Sequence, residues 1–264
     1  MLNFMKYEIK GSIRYIGIIF ITMILLSTFV LTTADINNVP RTIILSVISL
    51  MGGNIAILIH FVNSFSKEVY EDRGYLTLTL PISGDKIVLS KLLVTLLWYG
   101  IYSIIQFIFI YFILNKYSQI LEQPVFTTML SYGKEIIKSP EMILLVILSI
   151  FQLILFIMTV YFSIAISKAA LGIKKVGKLI AFILFLLLNT GISYLNVLIE
   201  RVLPFGVQFD IGRFSERSIM MNDIAMNATN EPFSINIPSI ALNIILFILF
   251  LFTTGYILER KIDL

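Results

Sequence analysis

Apolar and polar positions fall into long blocks along this chain. Six apolar blocks, at about 15–33, 43–64, 92–114, 142–163, 179–199 and 239–258, contain no Asp, Glu, Lys or Arg. A helix that crosses the hydrocarbon core of a bilayer needs about 20 mostly apolar residues. Each block is closed by charge or by a helix-ending residue. Lys6, Lys10 and Arg14 precede the first, Pro40 and Arg41 the second, Lys91 the third, Pro140 and Glu141 the fourth, Lys178 the fifth and Pro238 the sixth. The pattern predicts an all-α polytopic membrane protein, with one transmembrane domain over 1–264 and six spans.

Residues 1–14, MLNFMKYEIKGSIR, put Leu2, Met5, Ile9 and Ile13 near one helical face, with Lys6, Lys10 and Arg14 elsewhere. That is the pattern of a short amphipathic helix lying on the membrane surface. The apolar run that follows exceeds the h-region of a signal peptide, and TTAD is a poor cleavage site, so it is expected to stay as a span. Six spans put both termini on one side. With the amino terminus inside, the inner segments hold Lys6, Lys10, Arg14, Lys67, Arg73, Lys86, Lys91, Lys168, Lys174, Lys175, Lys178, Arg260 and Lys261, against Arg41, Lys116, Lys134, Lys138, Arg201, Arg213 and Arg217 outside. Basic residues concentrate on the cytoplasmic side, so both termini are expected there. The usage, rich in Ile, Asn and Lys, points to a bacterial plasma membrane.

Composition narrows the chemistry. The chain is 58% hydrophobic and 14% charged, far from the roughly 45–50% and 25% of soluble domains. It has no cysteine and a single histidine, His60, which argues against thiolate or His-rich metal sites. The spans carry no carboxylate for a proton relay, and the sequence has no H-E-x-x-H and no P-loop. No cofactor is expected on this chain, no basic stripe marks a nucleic-acid partner, and any energy from ATP must come from another subunit.

Between the second and third blocks lies EDRGYLTLTLPISGDKIVLSK, Glu71 to Lys91. The residues before it, FVNSFSKEVYEDRG, can carry the second span beyond the membrane as helix, and Gly74 is a natural stop. Leu76, Leu78 and Leu80 alternate with Thr77 and Thr79, the period of a strand, but an isolated strand leaves its edges unpaired. A short amphipathic helix or extended turn ending at Pro81 is expected, then a turn over ISGDK. Its leucines and Tyr75 need headgroups or a partner protein to bury them, and Glu68, Glu71, Asp72 and Arg73 would form the polar rim of a docking patch.

This stretch resembles the coupling loop of ABC-2-type transporter permeases: an acidic cluster, a glycine, an aromatic, leucines, then LPIS, a short gap and a basic residue. The layout is similar as well, with an amphipathic amino terminus, six spans and a long outer segment at 200–238 before the last. The resemblance implies that the loop, about 65–91, docks into a cytoplasmic P-loop ATPase subunit, with ATP and Mg on that partner. It implies coupling roles for Glu68, Glu71, Asp72, Gly74, Tyr75, Leu80, Pro81, Ser83 and Lys91. It also implies pairing with a second permease copy or a related permease in the lipid bilayer, and transport, by export, of an amphipathic or hydrophobic compound such as an antimicrobial peptide (hence resistance), a drug or a lipid. A membrane sensor or immunity protein that binds a peptide without an ATPase is the alternative.

Polar residues inside the spans complete the reading. Ser46, Ser49, Gly53, Ala56, His60 and Asn63 form a small, polar stripe on the second span, suited to close helix approach. Gln106, Gln152, Asn189 and Asn243 lie deep in the third to sixth spans, where an amide needs a partner. Gly53, His60 and these four amides are candidates for a translocation path or a subunit interface; packing within one subunit is the plainer reading. The basic segment ISKAALGIKKVGK can contact an ATPase, or set orientation and attract anionic lipid.

Overall fold

The computed structural model describes residues 1–34, 39–71, 82–120, 140–171, 174–209 and 233–260. Among them are six long helices: α1 (Leu2–Thr33), α2 (Val39–Tyr70), α3 (Gly84–Ile120), α4 (Pro140–Leu171), α5 (Lys174–Val202) and α6 (Ile237–Arg260). Every predicted span lies inside one of them. All six are long and apolar enough to cross a membrane, and the chain is a multi-pass membrane protein. Their outward faces are apolar, as at Ile18, Leu25, Ile48, Phe107, Ile147 and Leu187, which suits lipid as the surrounding solvent.

The helices outrun the spans. At 1.5 Å per residue, the 37 residues of α3 reach about 55 Å, well beyond a hydrocarbon core of about 30 Å. Two expectations change with this. Residues 2–14 form the opening turns of α1 without a break, so the separate interfacial helix expected for 1–14 is continuous with the first span. The turn expected over ISGDK is shorter too: α3 begins at Gly84, where the Ser83 carbonyl accepts the N–H groups of Lys86 and Ile87.

The fold is also not purely helical. Gly206–Phe209 (β1) and Phe233–Asn236 (β2) form an antiparallel pair, with Gly206 opposite Asn236 and Phe209 opposite Phe233. The long outer segment expected at 200–238 is thus pinned near both of its ends by this pair. Pro204 cannot extend α5, and the ladder that follows satisfies the freed backbone. Asn236 then fixes the entrance to α6: its Oδ1 accepts the Ser239 N–H at 2.9 Å, and its Nδ2 donates to the Leu203 carbonyl at 2.7 Å.

Packing divides the core in two. One cluster joins α2, α3, α4 and α6, with Ala181 and Ile192 of α5 at its edge, and contains Phe65 stacked on Tyr161 (4.2 Å) and Phe162 stacked on Phe250 (4.4 Å). The other joins α1 to α2 and α3 through Ile16, Met23, Ile57, Phe61, Val94 and Tyr102. α5 packs on α4 and α6 at the opposite flank, and only 6% of its apolar window is buried, against 22–28% for the other five, so it has the most surface left for lipid or protein.

Hydroxyls within the spans mostly bond backward to their own helix, as Thr159 does to Leu155 and Ser163 to Thr159, which satisfies them without a partner helix. Between helices, lipid supplies no hydrophobic drive, so close backbone approach matters more. Gly84 and Gly255 meet where α3 starts and α6 ends, and a β-carbon on Gly255 would lie 2.6 Å from the Asp85 nitrogen.

Gly255→Ala is therefore expected to lower stability by roughly 1–3 kcal/mol through overpacking. Gly100→Ala, with nothing within 4 Å of the new β-carbon, is expected to be neutral or to stabilise by up to about 1 kcal/mol. Denaturant unfolding in detergent micelles checks the opposite signs.

Candidate functional site

The first three helices bring three charges together at the end of the bundle that carries Glu8. Lys91, about two turns into α3, is buried, with only 3% of its side chain exposed. Its ammonium lies 2.5 Å from a Glu8 carboxylate oxygen on α1 and 2.7 Å from a Glu68 oxygen on α2. The carboxylates are themselves only 14% and 15% exposed. The Phe4 ring, 5.9 Å from the Lys91 nitrogen, covers another side of the cation. An ammonium has three donors, and two carboxylates from different helices use them well.

This changes the meaning of two predicted coupling residues. Glu68 and Lys91 were expected on or beside an exposed docking loop. They are interior, because an isolated charge at this depth must be paired to be tolerated. Glu71, by contrast, stays at the surface after α2, 41% exposed, with a long ion pair of 3.8 Å to Lys178. Ser83 marks the start of α3. Asp72, Gly74, Tyr75, Leu80 and Pro81 lie outside the described residues.

The same end of the bundle is tied again at α6. The Gly84 N–H donates to Glu259 Oε1 at 2.5 Å, beside the Gly84–Gly255 contact. On the other side, Tyr70 at the end of α2 donates to Ser167 of α4 at 3.1 Å, and Ser167 donates to the Gly177 carbonyl of α5. Both helix ends that flank residues 72–81 are thus anchored to other helices.

The span residues separate into two groups. Gly53 sits under Tyr102 of α3, whose hydroxyl a β-carbon at 53 would overlap. Tyr102 and Gln106 both donate to the Leu50 carbonyl, at 3.2 and 2.9 Å. Asn243 accepts from Asn196 at 3.2 Å, joining α5 to α6. Gly53, Gln106 and Asn243 therefore pack within the subunit. Gln152 and Asn189 are exposed on α4 and α5. His60 is half-buried, its ring 5.3 Å from Tyr15, and it lines a polar cavity of about 350 Å³ between α1 and α2. Glu8, Ser12, Ser64, Lys67 and Glu68 share that cavity.

Sequence reasoning missed Glu8. It falls on the stripe of Met5, Ser12 and Ile16, three and four residues apart, which is the face α1 turns to α3; an acid on that stripe was the available signal. Trp98 shows the same face in use, donating to Ser12 at 3.0 Å. Among the described residues, no group of three His, Cys, Asp or Glu could hold a metal ion. No family model, curated protein or solved structure matches the chain.

Removing Lys91 alone leaves two buried carboxylates uncompensated. Lys91→Met is expected to destabilise by about 3–5 kcal/mol. Glu8→Gln, which keeps the Lys91–Glu68 pair, is expected to cost much less. Adding Glu8→Gln and Glu68→Gln to Lys91→Met should restore most of the loss, because no charge then remains buried. Unfolding curves of the four proteins in one detergent check the order.

Proposed function

We propose that this chain is the membrane-spanning permease subunit of an ATP-binding cassette transporter of the ABC-2 type. Both termini and residues 72–81 face the cytoplasm of a bacterial cell, and a separate P-loop ATPase supplies the work. The observation that carries the reading is the anchoring of both helix ends around the coupling segment. Lys91 binds Glu8 and Glu68, and Gly84 binds Glu259, so a push on 72–81 is passed to α1, α2, α3 and α6 together. Packed elements move as units because close-packed interiors resist continuous deformation.

On this reading the coupling surface is Glu71 with Asp72, Gly74, Tyr75, Leu80 and Pro81, while Glu68 and Lys91 transmit the movement from inside. The chain binds no ATP or Mg itself. A second permease copy, or a related permease, covers exposed Gln152 and Asn189, whose amides are costly against lipid. The largely uncharged spans suit export of an amphipathic or hydrophobic compound such as an antimicrobial peptide, a drug or a lipid.

The test is co-purification with the P-loop ATPase encoded beside its gene, followed by ATP-driven transport in proteoliposomes. Gly74→Leu and Glu71→Ala are expected to abolish ATPase association and transport while leaving insertion and melting behaviour intact. Normal pumping by both variants, or function of the chain without any nucleotide, would overturn the reading.

A further inference from the structure

A second cavity, of about 390 Å³, runs between α2 and α5 over the face of α4. Its character is the reverse of the polar cavity beside His60. Ala181 and Ile164 are buried at its base, 5% exposed each, and Phe156 and Phe185 meet edge-to-face at 5.3 Å along one wall. Ile59 and Phe182, each 60% exposed, stand where it opens to the outside of the bundle. The opening faces what is lipid in the membrane. A helix, about 10–12 Å across with its side chains, is too thick for a space of this size, which lies near the small end of the roughly 300–1,000 Å³ of ligand pockets. A slender apolar chain fits.

One end of the groove is polar and positive. Lys178, nearly half exposed, stands there with Ser66 and Tyr70. Among the described residues its ion-pair partner is Glu71, 3.8 Å away and also exposed, a pair that water and salt weaken readily. α5 begins with Lys174 and Lys175 and has no acidic residue in its first turn, so its helix dipole adds to the positive field at this end. Apolar length with a cation at one end is complementary to an anionic amphiphile.

We propose that this groove binds one anionic phospholipid of the surrounding leaflet, its acyl chain lying between Phe156, Phe182 and Phe185 and its phosphate at Lys178. The site needs only that the chain sits in a bilayer, and it stands or falls separately from the transport reading. Ala181 is the groove's natural gauge, because a larger side chain there occupies the space a methylene chain would use.

Native mass spectrometry of the full-length protein tests this, after exchange into micelles containing equal dioleoyl phosphatidylglycerol and dioleoyl phosphatidylcholine. The expected result is one retained phosphatidylglycerol per chain in preference to phosphatidylcholine. Lys178→Gln should reduce that preference about fivefold, the worth of one lysine near an anionic surface, and Lys178→Arg should keep it. Ala181→Phe and, as an independent filler, Val160→Phe should reduce retention of both lipids. Equal retention of the two lipids by the unaltered protein would overturn the proposal. So would an undiminished preference in Lys178→Gln. Full retention in a folded groove-filled variant would reduce the site to surface attraction of headgroups and overturn it equally.

Discussion

Lys91 is the point on which the arrangement of this bundle depends. A cation buried to this degree is tolerated only with compensating charge, and here the compensation comes from two other helices, Glu8 on α1 and Glu68 on α2. The tie therefore fixes the relative height of three helices, since sliding any one of them by a turn of about 5.4 Å would strand a charge. Apolar side chains cannot do this in a bilayer, where a leucine is as well solvated by lipid as by a neighbouring helix. The aromatic stacks of the core pack the helices once the heights are set; the ion cluster is what sets them.

Away from that cluster a second device takes over. The Leu50 carbonyl of α2 accepts from Tyr102 and Gln106 of α3 and from the side chain of Asn54, and Tyr99 donates to the Asn54 carbonyl at 3.0 Å. Backbone carbonyls in a helix are normally screened by neighbouring side chains. Gly53 removes that screen, letting the Tyr102 hydroxyl reach the α2 backbone. The small-residue stripe of α2 thus serves a hydrogen-bonded seam between α2 and α3, while Ser49 on the same helix meets Ser27 of α1 at 3.3 Å.

The spans were legible because lipid imposes one requirement, a continuous apolar run, that local sequence must meet by itself. All six lie inside observed helices. What the sequence hid depends on pairs distant along the chain. Glu8 and Lys91 are 83 positions apart, and Gly84 and Glu259 are 175 apart, so neither partner announces the other. Lys91 read as part of a polar loop because the run of charges from Glu68 continues into it, whereas α3 had already begun at Gly84. The amides split for a similar reason. Asn243 and Gln106 find partners inside the subunit and Gln152 does not face inward, a distinction of helix rotation that span hydropathy cannot express. The short β pair escaped notice because its two four-residue strands are separated by a long insertion and lack a hairpin turn signal.

The two flanks of the bundle differ in how they are held, and that difference bears on how a load would travel. α1, α2, α3 and α6 are joined at one end by a glycine contact and by ions and a backbone cap, and these polar ties cannot stretch without exposing an unsatisfied group. α5 joins this unit through α4 and α6, with a hydroxyl relay at Ser167 and a long surface ion pair at Lys178. A displacement applied between α2 and α3 would therefore move the tied helices as a body and be taken up first along the seam beside α5. That seam contains the apolar groove with Lys178 at its mouth, so whatever occupies the groove would feel, and resist, the motion. Occupant and motion are then linked by free energy: a ligand that prefers one width of the groove favours the bundle geometry that supplies it.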